Sequence, residues 1–450
     1  MTRPRRKTWF ATLSAVSALV CCSGAASGAG FAIIEQSVTG IGNAFAGGAA
    51  SAEDASTLFF NPAGLTRLKG QQAIAGGHAI VTSFVFKNKG STHQLTDITD
   101  EGLTGDNGGD GGTFGLVPNG YYSATLDNGW AFGLGVNAPF GLVTDWDKGW
   151  VGRYHALKSD VLTININPSA AYKITRNLSI GAGVSAMYMK AELSQAVDFG
   201  TALAAVGDRT QRDDGKATLN ADDWAYGFNV GLLWEFTENT RAGLHYRSQV
   251  KQKLEGDAKF DVPAKIQAIL DAAGSSKFQK TDANGDINLP DTVSLSLYHR
   301  YDPKLAVMAD VTWTHWSTFD ELKIEFDNPE QDPSVTTEKW DDAWRVAVGA
   351  TYNPLPAWAL RTGLAYDQTP VPNSKYRTPR LPDNDRYWLS FGTGYQATDR
   401  LSVDVGYAHL FVDDAKINKD PVGEDASRGG LKGTFTNSAD IFSAQIAYRW

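Results

Sequence analysis

Trp224-Ala-Tyr-Gly-Phe-Asn-Val-Gly-Leu-Leu-Trp-Glu-Phe236 decides the fold. Its large apolar residues are Trp224, Tyr226, Phe228, Val230, Leu232, Trp234 and Phe236, and between them stand Ala225, Gly227, Asn229, Gly231, Leu233 and Glu235. A period of two over thirteen residues belongs to a strand with one apolar face, not to a helix, whose apolar stripe recurs every 3.6 residues. The pattern returns at residues 293–301, 305–313, 344–352, 358–366, 387–395 and 401–407. It returns again at the end of the chain, where Phe442, Ala444, Ile446, Tyr448 and Trp450 share one face.

An apolar face of this kind covers either the core of a soluble sandwich or the lipid side of a membrane barrel. The segments are ten or more residues long, enough to cross a bilayer when tilted. Tyr and Trp gather at their ends, as an interfacial girdle requires, and the last residue, Trp450, is in phase with the apolar face. The mean hydropathy of −0.27 fits, because half of every barrel strand faces a wet or filled interior. About fourteen such segments begin near Gln71, Gly115, Gly129, Ser159, Asn177, Asp222, Asn239, Asn288, Pro303, Lys339, Ala357, Asp385, Arg400 and Thr434. Short polar turns at 175–177, 237–239, 302–304 and 398–400 alternate with long connections, the asymmetry of periplasmic turns against outer loops. The fold class expected is all-β, a 14-stranded antiparallel transmembrane barrel.

The other readings of a 450-residue chain fall away. With 42% hydrophobic and 11% aromatic residues, it can bury ample surface and is not disordered. At a pI near 5.3 a nucleic-acid partner is not expected. Arg3, Arg5, Arg6 and Lys7 precede an uncharged apolar run at 9–22 and the small residues 23–29, the layout of a secretory signal peptide. We assign it to residues 1–28, with cleavage after Gly28 or Ala29. Its removal takes four basic residues and no acid, so the net charge becomes (41 − 4) − 50 = −13, and it takes both cysteines, Cys21 and Cys22. Disulfides and Cys-based metal or redox sites are thereby excluded from the exported chain. No later stretch of 18 or more residues is predominantly apolar, which rules out membrane-spanning helices.

Four segments break the alternation. Residues 31–68 are rich in Gly and Ala (Gly40, Gly42, Gly47, Gly48), and the domain they define, 29–70, reads as a plug within a barrel spanning 71–450. The connections 196–207 (Phe199, Leu203, Val206) and 263–274 (Ile266, Ile269, Leu270, Ala273) look partly helical; their apolar faces either pack together as a lid or form a groove for an apolar ligand. Asn137-Ala-Pro-Phe-Gly-Leu142 interrupts the third strand. Pro139 cannot donate to the ladder and Gly141 permits unusual angles, so the wall either opens a gap toward lipid there or merely kinks.

Catalytic and metal chemistry finds no foothold. Asp282-Ala-Asn-Gly-Asp286 begins like a calcium loop but has Val293 at the twelfth position, and reads as a surface turn. The Gly-rich residues 105–112 lack a following Lys-Ser/Thr and read as a flexible loop. No nucleophile–base–carboxylate set is evident, so no enzyme, metal or cofactor is expected. The inward-phase charges Glu235, Arg247, Arg300, Asp310, Arg345, Arg361, Asp404 and Arg449 should pair with one another or with the plug.

The order of short motifs carries a resemblance. Ala29-Gly-Phe, Glu35-Gln-Ser, Gly40-Ile-Gly-Asn-Ala, Asp54-Ala-Ser, Asn61-Pro-Ala, Tyr246-Arg-Ser, Leu289-Pro-Asp, Pro370-Val-Pro and Pro382-Asp-Asn-Asp-Arg-Tyr-Trp-Leu-Ser together resemble the FadL-type outer-membrane long-chain fatty acid transporters. The resemblance implies an N-terminal hatch inside the lumen, capture of a hydrophobic ligand between two outer loops, an interior pocket touching the hatch, and lateral release through a kinked third strand. It implies passive transport across the outer membrane of a Gram-negative bacterium. By it, Phe31, Ile33 and Ile34 match the hatch start, and Asn61, Pro62 and Ala63 the hatch motif. Asn137, Ala138, Pro139, Phe140, Gly141 and Leu142 form the kink. Phe31, Ile33, Ile34, Phe140, Lys190, Phe199, Leu203, Ile266, Leu270 and Lys339 are the expected ligand contacts. The family's carboxylate-holding basic positions fall on Gln195 and near residues 336–339. Lys190 or Lys339 therefore substitutes, or the ligand is a neutral aromatic or aliphatic hydrocarbon. A general porin is a weaker alternative. Expected partners are the ligand, outer-membrane lipid and lipopolysaccharide, and the barrel-assembly machinery through the C-terminal aromatic; a monomer is expected.

Overall fold

A computed structural model describes residues 30–96, 102–202 and 211–450. Its strands form one closed antiparallel barrel of fourteen. In chain order they are β1 (Gln71–Asn88), β2 (Phe114–Thr125), β3 (Trp130–Asn137, resuming as Gly141–Asp145), β4 (Lys158–Lys173), β5 (Leu178–Asp198), β6 (Asp214–Glu235) and β7 (Thr240–Arg247, resuming as Val250–Asp261). Then follow β8 (Thr281–Leu289, resuming as Thr292–Arg300), β9 (Leu305–Thr314), β10 (Ala343–Leu355), β11 (Trp358–Asp367), β12 (Arg386–Gln396), β13 (Leu401–Val412, with Ala415–Asn418) and β14 (Lys432–Arg449). Each strand pairs with the next, and β14 closes on β1 from Gln72↔Arg449 to Asn88↔Gly433. Closure matters in lipid, where an open edge would leave a row of backbone groups without partners.

The alternation read at 224–236 is realised in space. Trp224, Tyr226, Phe228, Val230, Leu232 and Trp234 are exposed, Tyr226 to 75%, while Ala225, Asn229 and Leu233 are buried. So many exposed aromatics on single strands make the outer surface a lipid face. They form two belts. One, beside the short turns, contains Trp130 over Tyr172 (4.9 Å), Trp358 by Tyr395 (4.8 Å) and Tyr448 by Trp450 (5.5 Å). The other contains Tyr188 by Trp224 (5.4 Å), Tyr366 by Tyr387 (5.4 Å) and the cross-strand pair Trp313↔Trp344. Among the described residues no helix is long and apolar enough to cross a membrane.

Several expectations change. β6 begins at Asp214, eight residues before the alternation becomes legible at Asp222, because its polar upper part pairs with β5 beyond the aromatic belt. Asp282-Ala-Asn-Gly-Asp286 is not a turn but the upper part of β8, where Asp282 pairs with Asp257 and Asp286 with Lys253. The glycines of 105–112 form a built loop: Gly108 takes φ +82°, and a Cβ there would lie 2.8 Å from the Cβ of Trp150. A helix does form at Ala264–Ala273, between Pro263 and the left-handed Gly274; among the described residues of 196–207, Phe199–Ala202 is helical and residues up to Asp198 extend β5. Residues 203–210 lie outside the described residues.

Residues 30–68 bond to inward-facing groups on many strands. Asn61 donates to Leu232 O of β6 (2.8 Å), Arg241 of β7 to Ala50 O (2.6 Å), Asn43 to Ala350 O of β10 (2.9 Å) and Gln445 of β14 to Asp54 (3.1 Å). Most of the wall charges pair with this segment or with each other; Asp310, Arg449 and Arg300 bond to neutral side chains of the wall. Arg361 lies between Asp404 (3.0 Å) and Glu53 (3.2 Å), Arg247 donates to Phe59 O (2.8 Å) and Arg345 to Ala44 O (2.6 Å). Glu235 binds Arg67 and Lys173, and Asp310 accepts from Ser296. Arg449 reaches Gln396 (3.2 Å), and Arg300, exposed at the short-turn end, reaches only Asn239.

Candidate functional site

The third strand fails as the sequence predicts. β3 stops at Asn137 and resumes at Gly141, and the ladder groups released between them are taken by residues 31–36. Ile33 N–H donates to Pro139 O (2.8 Å), Gly141 N–H to Phe31 O (3.0 Å), and Ala32 forms an antiparallel bridge with Phe140. The Gln36 amide serves both sides, donating to Ala138 O (2.7 Å) and accepting from Ala138 N–H (3.3 Å). Phe140 N–H is held by the Thr163 hydroxyl (3.0 Å). Backbone groups inside a membrane wall must be satisfied within the protein, and here the chain's own first described residues satisfy them.

Behind the break a packed apolar cluster, the lining of a chamber should its side chains part, is centred on Phe31. Its ring meets Trp316 (4.9 Å), Phe319 (5.8 Å), Phe140 (5.9 Å) and Trp340 (5.9 Å), and Met187, Met189, Leu254 and Leu289 complete the shell. Methionines and aromatics make a deformable lining suited to apolar molecules of variable shape. The indole Nε1 of Trp316 is buried there without a partner.

Above the chamber, between the long connections, is a cavity of about 760 Å³. Phe199, Phe260, Phe278 and Phe326 line one side, with Phe278 edge-on to Phe199 at 4.8 Å and to Phe260 at 5.6 Å. Arg380 and Arg428 line another. Arg380 donates to Ser159 Oγ (3.2 Å), Lys158 O (3.3 Å), Ser194 O (3.4 Å) and Gln195 Oε1 (3.0 Å). Its neighbour Leu381 packs in the Phe31 cluster. Desolvation, then Arg428, pushes Arg380 down to about 10, which leaves it charged at neutral pH.

Glu338 is buried close by, accepting from Trp340 Nε1 (3.0 Å). Burial pushes its carboxyl up to about 7, against the opposing pull of Lys419 and Arg380. Below that pH it is neutral and leaves the Arg380 charge less compensated; above it, it competes for Arg380. A carboxylate ligand should therefore bind more tightly at pH 6 than at pH 8, and Glu338→Gln should remove most of that dependence. Titration of a long-chain fatty acid against both proteins checks this. The folding term has the same sign: a carboxyl raised in the folded state stabilises fully below about 4.5 and loses that contribution as pH rises through 7.

The expected contacts divide. Phe31 and Phe140 meet in the chamber, and Phe199 lines the outer cavity. Ile33 is buried in a separate cluster with Ile41 and Trp388, against which Ile34 is half-buried. Lys190 is misplaced by the expectation: Met187, Met189 and Ala191 point inward, so a residue between them in the two-residue period points out, and Lys190 is exposed on the outer surface. Lys339 is likewise exposed, its Nζ over the Tyr376 ring at 5.8 Å, while its neighbours Glu338 and Trp340 turn in. Ile266 and Leu270 do not border the outer cavity; Ile266 is buried, Leu270 half-buried, and Ile269 exposed, so the helix face is only partly covered. Leu203 lies outside the described residues. The sequence reading missed Arg380, Arg428, Trp316 and Trp340, which sit in aperiodic connections. Among the described residues no group of three or more His, Cys, Asp or Glu could hold a metal ion.

Compared with known proteins, residues 19–450 match the family described as "Outer membrane protein transport protein (OMPP1/FadL/TodX)". The chain is 31% identical over 444 residues to the long-chain fatty acid transport protein of Salmonella typhi, covering 96% of this chain and 99% of that one. It is 33% identical over 423 residues to outer membrane protein P1 of Haemophilus influenzae, covering 88% of each. The crystal structure of a Pseudomonas aeruginosa FadL homologue superimposes with a TM-score of 0.85 at 26% identity, over 94% of this chain and all of that one. The Ralstonia pickettii toluene transporter TbuX shares the fold with a TM-score of 0.62 at 19% identity, over 92% of this chain and 100% of that one.

Proposed function

Because the chain belongs to the OMPP1/FadL/TodX family of outer-membrane transport proteins and resides in the outer membrane, we propose that it carries long-chain fatty acids passively inward, as an uncatalysed passage with no covalent step. The observation that supports this most is an aromatic outer cavity with Arg380 and Arg428 in its lining, together with an apolar cluster packed against a broken wall. A chain entering from outside places its methylenes against Phe199, Phe260 and Phe278 and its carboxylate on Arg380 or Arg428, a charge-assisted pairing suited to planar oxygens. Each methylene then buried contributes about 0.8 kcal/mol, which drives the tail into the chamber without an energy source.

In this reading residues 29–70 are a hatch. Withdrawal of Phe31 and Ile33 from Ala138–Leu142 opens the wall, and the ligand leaves sideways into lipid. Gly141→Trp, filling that opening, should cut uptake by about tenfold while leaving binding to the purified protein unchanged; uptake at the normal rate would discard the lateral route. A second reading, neutral aromatic or aliphatic hydrocarbons, is favoured by the aromatic and methionine side chains packed around Phe31. Binding of a long-chain fatty acid, toluene and an alkane to the purified protein decides between them.

Hydrolysis fits the site poorly. Ser443 Oγ lies 2.7 Å from His78 Nδ1, and Asn119 Nδ2 lies 2.9 Å from His78 Nε2. All three are buried on the inner wall and border neither the outer cavity nor the chamber.

A further inference from the structure

The wall has a second interruption, four strands on from the first and joined to it inside by Phe140 and Trp316 (6.2 Å). β7 breaks between Arg247 and Val250, and β8 between Leu289 and Thr292. The registers Arg247↔Thr292 and Val250↔Leu289 set the two breaks side by side. β9 ends at Thr314, opposite Thr292, and does not continue along the upper part of β8. Instead the chain turns inward, burying Trp316 and Phe319, and returns as Glu321–Phe326 to meet upper β8 only at Ala283↔Phe326 and Asn284↔Glu325. On that edge the Lys323 carbonyl stands over Gly285, among the described residues 286–289 have no strand partner, and Pro290 has no N–H to offer.

What fills this window is side chains. Trp316 and Phe319 stand in it, and behind them lie Leu289, Ile287 and Phe31 of the chamber. Its lower rim is one contact, His315 to Asp291, through His315 N–H to Asp291 O (3.0 Å) and the ring Nδ1 to the carboxylate (2.9 Å). Just below runs the outer aromatic belt in register, Tyr246↔Val293↔Trp313↔Trp344, which puts the window at the outer interface of the membrane. Parting a paired ladder in lipid costs several kcal/mol for each backbone group left bare. Here there is no ladder to part, only aromatic contacts and a rim pair half open to solvent. The buried, unpartnered Trp316 Nε1 adds a donor inside with nothing to bond.

We propose that this window is a second lateral passage, through which single-chain amphiphiles already dissolved in the outer leaflet enter the chamber past the Trp316–Phe319 turn, their polar heads received by Trp316 Nε1. The proposal rests on the reading of the chamber as a ligand chamber, and supplies it with an entrance that bypasses the outer cavity.

The test uses the wild-type protein in outer-membrane vesicles preloaded with a diazirine-bearing long-chain fatty acid, photolysed and mapped by peptide mass spectrometry. Adducts within 285–291 or 315–319, besides those near 138–142, are expected. Adducts near 138–142 or in the outer cavity but none in the window overturn the second passage and leave the chamber reading intact. Adducts nowhere in the protein overturn both. A functional arm joins Asp286→Cys to Ser317→Cys with a bifunctional maleimide, the native cysteines being confined to positions 21 and 22. Uptake of membrane-preloaded ligand should then fall roughly fivefold, while ligand delivered from water enters unchanged. An equal fall for both deliveries, or none for either, counts against the passage.

Discussion

Arg380→Met is expected to weaken the binding of a long-chain fatty acid by about 50-fold, while toluene or an alkane binds within about twofold of the unaltered protein. A charge-assisted pair in a partly desolvated site contributes on the order of 2–3 kcal/mol, and an apolar ligand has nothing to lose there. The substitution also removes the donor that serves Ser159, Ser194 and Gln195. Arg380→Lys is therefore measured beside it, since it keeps the charge but not the fork, and should recover part of the affinity. Calorimetric titration of the three proteins with both ligand types separates the outcomes. Parallel loss for acid and hydrocarbon would mean a damaged cavity, and no loss for the acid would remove Arg380 from recognition.

The second large effect is expected at Asn61. Its side chain is fully buried and binds at three points: Nδ2 to Ala49 O (2.7 Å) and to Leu232 O (2.8 Å), and Oδ1 from Ala63 N–H (3.0 Å). Asn61→Ala leaves those backbone groups unmatched and should loosen residues 30–68 from β6 by about 2–4 kcal/mol. Gly243→Leu attacks the same junction from the wall. A Cβ there would stand 1.8 Å from Ala49 O, a backbone atom that cannot swing aside. Both variants should raise steady ion conductance in planar bilayers well above the unaltered protein, with the barrel still folded by its heat-modifiable electrophoretic mobility. Unchanged conductance in two correctly folded variants would show that these contacts do not hold the lumen closed.

Legibility followed periodicity. Where a strand keeps one face in lipid, as in 224–236, the sequence announces itself, and the outward residues are those the alternation names. The break at Pro139 was legible because proline and glycine act on the backbone directly. The basic residue in the cavity lining was not. Arg380 comes from an aperiodic connection, and its place depends on Ser159 and Gln195 from strands nearly two hundred residues away. Lys190 shows the opposite failure. Its charge was noticed and its phase was not, although Met187 and Met189 already fixed that phase as outward. The breaks at Ser248-Gln249 and Pro290-Asp291 overlap the motifs Tyr246-Arg-Ser and Leu289-Pro-Asp. Only the register between β7 and β8 shows that they coincide.

The bonds from Ile33, Phe31 and Gln36 to the gap in β3 have a consequence for timing. If those residues withdraw, as the proposed lateral route requires, the carbonyls of Ala138 and Pro139 and the N–H of Gly141 would face an apolar stream. A hydrocarbon cargo offers them nothing, so the open wall is costly for as long as it stays open and reclosure runs downhill. On the proposed route each opening would thus be brief by construction, and the membrane's permeability barrier would be restored by the same few hydrogen bonds whose loss admits a passenger.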